Sequence, residues 1–141
     1  MQLPLPASFH SAESRSLLAW NILRILLALF IAAHGWARFV AGGVIPFGGW
    51  LDSQGIPFGL PIAVAITAIE IAGSLLLLIR RWVLPLTIIY SLIYIAGIVL
   101  VHAPAGWFVV GLGRNGAEYS VLLVTCLLCV GLQHVKPSAT Q

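Results

Sequence analysis

From residue 17 onward the chain alternates long apolar runs with short stretches of Gly, Pro and polar residues. The runs cover Leu17–Phe39, Phe58–Ile79, Trp82–His102 and Ala117–Gln133. At about 1.5 Å per helical residue, such runs are of the length that crosses roughly 30 Å of hydrocarbon. The separators are "AGGVIPFGGWLDSQGIP", the dipeptide Arg80-Arg81, and "APAGWFVVGLGRNG". This pattern predicts an all-α, integral membrane four-helix bundle with short interfacial segments in its outer loops. The Arg80-Arg81 turn is so short that the second and third helices should be antiparallel neighbours. In Pro46–Gln54, "PFGGWLDSQ", Phe47, Trp50 and Leu51 are expected to enter the headgroup layer while Asp52 and Gln54 stay wet. Trp107 and Phe108 suit the same role in the second outer loop.

Composition agrees with lipid as the solvent. Hydrophobic residues make up 60% of the 141 and charged residues 8%, against about 25% charged in soluble domains. The predicted organisation is a cytoplasmic N-terminal segment, residues 1–16, a four-span domain, 17–133, and a cytoplasmic tail, 134–141. The polar, Pro-containing start has no charged region leading a short apolar core, and no small-residue cleavage site follows, so a signal anchor is expected. Arg15, Arg80, Arg81 and Lys136 fall on one side of the membrane, and Arg38 and Arg114 on the other. That bias puts both termini and the Arg-Arg turn in the cytoplasm of a bacterial inner membrane. The net charge of +3 comes from scattered basic residues, which argues against nucleic acid as a partner.

An ionisable group inside a span costs about 2.5–3.5 kcal/mol on insertion scales, so each one needs a reason. At about 100° per residue, Arg24, His34 and Arg38 share one sector of the first helix. The second helix clusters Thr67, Glu70, Gly73 and Ser74, and the third aligns Thr87, Ser91, Tyr94 and His102. The fourth aligns Glu118, Thr125 and Cys129. Four polar seams on otherwise apolar helices are expected to face one another. Depth counted from the helix ends pairs Arg24 with Glu70 as a buried ion pair, since either charge alone in lipid would be prohibitive.

At the outer end, His34, Arg38, His102, Glu118 and Tyr119 form the candidate ligand site. His titrates near neutrality, a guanidinium stabilises an anion, and a carboxylate orients an imidazole. Such a set suits a quinone-like headgroup with its tail between helices; equally it suits a hydrogen-bond network that closes the bundle. The two His and Glu118 are dispersed over three helices without local ligand spacing, so no metal site is expected. Cys126 and Cys129 have redox spacing, but they sit mid-span, where cysteine acts as a small hydrophobe. "GLGRNG" lacks the preceding strand and the spacing of a phosphate loop.

Several ordered stretches resemble the DoxX family of small four-span bacterial membrane proteins, over about Leu18 to Gly131. They are Arg24 in "ILRILLAL", "HGW" at His34–Trp36 followed by Arg38, "FGGWLDSQGIP", "AITAIEIAGSLLLL" around Glu70, "VHAPAGWF" at His102–Phe108, and "GAEYSVLL" around Glu118 and Tyr119. Two departures are the direct "RRW" ending of the second helix and Arg38 where the family usually has Lys. The resemblance implies a cytoplasmic-membrane protein, with some relatives tied to thiosulfate:quinone oxidoreduction or membrane redox complexes.

The leading expectation is therefore a membrane subunit of a quinone-linked redox system with a soluble or membrane redox partner, and not a stand-alone enzyme. The alternatives are a non-enzymatic scaffold or assembly factor, and a small-solute carrier. A carrier of this size without internal repeats would need to form a homo-oligomer.

Overall fold

A computed structural model describes residues 11–135. Residues 1–10 and 136–141, which hold Lys136 and parts of both terminal segments, lie outside the described residues. The described chain is an all-α membrane bundle of five helices. Helix α1 runs Ala12–Val40, where the Ser11 hydroxyl caps its start by accepting from Ser14 N at 3.0 Å. Helix α2 is short, Val44–Ser53. Helix α3, Gly59–Leu78, contains a π-turn at Ile69–Gly73, and α4, Val83–Ala105, contains another at Ile98–His102. Helix α5 is Glu118–Leu132.

Helices α1, α3 and α4 are long and apolar enough to cross a membrane. Helix α5 has 15 residues, about 22 Å of rise, so the fourth run yields an apolar helix shorter than the sequence pattern suggested. Leu, Ile, Val and Phe side chains are exposed along every long helix, as lipid-facing surfaces require.

The chain reverses between α3 and α4 within a few residues, with Arg80 and Trp82 in left-handed conformation at φ 59° and 54°. Despite that tight turn, α4 packs mainly on α5, while α3 packs mainly on α1 and α2. Glycine permits the closest approaches. A Cβ on Gly35 of α1 would lie 2.9 Å from Glu70 Cβ and from Ile71 Cγ1 of α3. The core gathers Leu27 and Ile31 from α1, Leu77 from α3, Tyr90 from α4 and Leu127 from α5.

The polar seams of α3 and α4 do turn inward: Thr67, Glu70, Ser74, Thr87 and Ser91 are all buried. The α5 seam does not. Thr125 is exposed and its hydroxyl donates to its own helix at Val121 O, 2.9 Å. A threonine satisfied in this way needs no polar partner and can face lipid.

The "PFGGWLDSQ" segment also departs from expectation. Helix α2 folds back onto α3 with Leu51 buried. Asp52 Oδ1 accepts from Gly59 N at 2.8 Å and so caps α3. Asp52 is exposed but engaged, and the segment is a packed structural element of the bundle.

Because Gly35 sets the α1–α3 spacing, Gly35→Val should lower stability in detergent by about 1–3 kcal/mol through overpacking. Thermal unfolding checks this, with Leu29→Val on the exposed face of α1 expected to be nearly silent.

Candidate functional site

The site is built around one arginine. Side chains on a helix lean toward its N-terminus, so Arg38, near the end of α1, reaches back about one turn toward the level of Gly35. There its Nη1 donates to Glu70 Oε2 at 2.5 Å and to Thr67 Oγ1 at 3.1 Å. The Thr67 hydroxyl in turn donates to Ala63 O at 2.7 Å, which leaves its lone pairs for the guanidinium. Phe47 of α2 lies across the guanidinium carbon, 4.6 Å from ring centroid to Cζ. Glu70 is 2% exposed, so its charge depends on this partner.

Glu70 sits inside the π-turn of α3. The local geometry is held by Tyr90, whose hydroxyl donates to Ile69 O at 2.9 Å, and by Ser74, whose hydroxyl donates to Glu70 O at 2.5 Å. A Cβ on Gly73 would come within 2.5 Å of the Tyr90 oxygen, so glycine there is what admits the tyrosine. π-turns often mark functional positions in helices.

The expected Arg24–Glu70 pair does not form. Arg24 instead donates through Nη1 to Leu77 O and to Leu78 O, the latter at 2.7 Å. These carbonyls belong to the last turn of α3; Leu77 O also accepts from Arg80 N at 3.2 Å, while Leu78 O has Arg24 as its donor. A cation there also opposes the helix dipole. The register error has a physical origin. Helix α3 begins beyond the end of α1, because α2 packs on its first turns. Depth counted from helix ends therefore placed Glu70 too far toward the Arg80-Arg81 end.

Helices α1, α2, α3 and α4 enclose a cavity of about 280 Å³ beside the ion pair. His34 and Arg38 line it from α1, Phe47, Trp50 and Leu51 from α2, Glu70 from α3, and Tyr94 and His102 from α4. The Phe47 and Trp50 rings are stacked, 6.0 Å apart at 16°. Tyr94 meets the His34 ring edge-on at 6.4 Å. The Tyr94 hydroxyl is buried and has no hydrogen-bond partner among the described residues. His102, half-buried, is tied through Nδ1 to Asn115 O at 2.9 Å. A larger void of about 500 Å³ lies on the α1–α2–α3 flank, lined by Phe39, Val44 and Ala68 among others, and its walls are apolar apart from Thr67.

Of the residues singled out from sequence, the structure brings His34, Arg38 and His102 to one cavity. It does not bring Glu118 or Tyr119 there. Glu118 Oε1 accepts from Val109 N at 2.9 Å and braces the α4–α5 loop. Tyr119 lines a cleft between α1 and α5. Glu70 and Tyr94, read from sequence as seam residues, and Phe47 and Trp50, read as interfacial anchors, join the site although none was in the candidate ligand set. Tyr94 was legible, since it sits on the α4 seam one turn after Ser91; the two aromatic residues of α2 read as membrane anchors because nothing in their spacing reveals that α2 folds inward.

Residues 19–103 match the DoxX family model. The chain belongs to the DoxX family. The match runs from within α1 to just past His102 and takes in every cavity residue named above, so the ion pair and cavity of this DoxX protein lie wholly within the family domain. Comparison with curated proteins and with solved structures gave no match.

Glu70→Ala should strand the Arg38 charge and cost this DoxX protein roughly 3–5 kcal/mol of stability. Adding Arg38→Met should recover much of the loss, whereas adding Arg24→Leu should deepen it by leaving the helix-end carbonyl Leu78 O unmet. Unfolding of the single and double variants in detergent distinguishes the two pairings.

Proposed function

We propose that this DoxX protein is the membrane subunit of a quinone-linked redox system and that its cavity holds the ring of the quinone. The observation that carries the reading is the Tyr94 hydroxyl, buried without a partner among the described residues at a mostly apolar cavity. An unmet buried hydroxyl costs about 1–3 kcal/mol, which a ligand oxygen would relieve. The adjacent charges cancel, Arg38 against Glu70 at 2.5 Å, so a neutral ring enters more readily than an anion, which would have to compete with the carboxylate. The stacked Phe47 and Trp50 supply flat apolar surface for a conjugated ring. A cavity of about 280 Å³ has room for one substituted ring and not for a long tail. A quinone supplies two-electron, two-proton chemistry. In the chain, Arg38 and Tyr94 are the groups that would orient its oxygens. Electrons would come from a partner, because Cys126 and Cys129 line no wall of this cavity.

The orientation that fits is one with both termini and the Arg80-Arg81 turn in the cytoplasm of a bacterial inner membrane. The cavity then opens toward the outer leaflet. Pairing with Glu70 strengthens the charge argument, since Arg38 is neutralised inside the bundle, and Arg15, Arg80 and Arg81 then oppose Arg114. Reporter fusions at the C-terminus and in the turn should report the cytoplasm; a periplasmic C-terminus reverses the assignment.

Binding of a short-tailed benzoquinone to purified protein in nanodiscs tests the ligand. Tyr94→Phe should weaken it about 3- to 10-fold, the worth of one hydrogen bond. Arg38→Lys should weaken it further, because Nη1 is committed to Thr67 and Glu70 and an ammonium offers no second, separately placed nitrogen for a ligand oxygen. No binding by the wild type, alone or with its partner, would leave a scaffold whose seams only fix packing.

A further inference from the structure

His34 is the one residue that lines both the ring cavity and the separate cleft between α1 and α5. That cleft, about 310 Å³, is walled by Phe30, Ala33, Ala37 and Tyr119. His34 is exposed, and neither of its ring nitrogens has a hydrogen-bond partner among the described residues; its contact is the edge of the Tyr94 ring. The other histidine of the cavity differs, since His102 is committed through Nδ1 to the loop carbonyl of Asn115. An imidazole carries a nitrogen on each side of its ring, so one can give up a proton while the other takes one. The groups that face it are Arg38 and Glu70, already paired with each other, and Tyr94, His102 and Tyr119.

We propose that His34 is the proton-transfer residue of the site, passing protons between a ring bound in the cavity and the α1–α5 cleft. This rests on the quinone reading above. In the reductive direction, with two electrons supplied by a soluble reductant, an N–H bond of protonated His34 breaks as one O–H bond forms on the ring. The neutral imidazole then regains a proton from bulk water reached through the cleft, so that an N–H bond forms as a water O–H bond breaks. The second ring oxygen takes its proton from water at the half-buried His102 end. Tyr94 holds the ring through its hydroxyl and keeps its own proton.

The experiment uses the full chain in nanodiscs with a short-tailed benzoquinone as probe and dithionite as the reductant. Binding is measured first, so a wild type that binds no quinone removes the functional reading before the proton route is tested. For protein that binds, His34→Gln should keep affinity within about threefold and slow reduction of the bound ring by at least about tenfold, the lower range for loss of a general acid. Added imidazole should restore part of the rate. Ala33→Leu, which narrows the cleft without lining the cavity, should slow reduction in the same way. ¹⁵N resonances of His34 should shift between the complexes with the oxidised and the reduced ring. An unchanged rate in His34→Gln or in Ala33→Leu overturns the route, as does a loss confined to His102→Gln. Static His34 resonances also overturn it.

Discussion

The carboxylate of Glu70 is the constraint on which the rest of the bundle turns. At 2% exposure in an apolar bundle, it stays charged only beside a cation. Arg38 meets it from one turn above. For that contact α1 and α3 must approach closely, and this fixes glycine at position 35. The guanidinium must also be held in one pose, which Thr67 from α3 and Phe47 from α2 provide. Three helices are thus tied to one side chain, and the cavity is the space left beside their junction.

Two arginines of α1 lie in or near the bundle core, and each is stabilised differently. Arg24 is 4% exposed and faces the carbonyl end of α3, where partial negative charge is already present. It needs no carboxylate; its partners are Leu77 O, Leu78 O and Asn21 Oδ1. Its surroundings are packed helix ends. Arg38 faces a full negative charge beside a cavity and is about one-fifth exposed. The first arrangement closes the fold, while the second borders open volume, and this difference places the chemistry at the Arg38 end.

The period of polar residues made the helices and the inward seams of α3 and α4 readable, because burial at Thr67, Glu70, Ser74, Thr87 and Ser91 follows from helical phase alone. Phase carries no information about axial register. Pairing Arg24 with Glu70 required knowing where α1 and α3 overlap, and that overlap is set by α2 folding onto the first turn of α3 through Gly48, Gly59 and the Asp52 cap. Those contacts are tertiary, and "PFGGWLDSQ" satisfies the composition of an interfacial anchor equally well. Glu118 was placed at the right level but its oxygen is taken by Val109 N, a loop contact that a helical wheel cannot contain.

Both π-turns of the bundle deliver a residue to the same cavity, Glu70 from α3 and His102 from α4. An extra residue in one turn rotates everything beyond it by about 100° relative to the regular helix. The hydroxyls of Tyr90 and Ser74 occupy the carbonyls at the α3 insertion, Ile69 O and Glu70 O. In lipid, where no water is at hand to meet a displaced backbone group, those two side chains are what makes the irregular turn tolerable, and Glu70 is held where it is because of them.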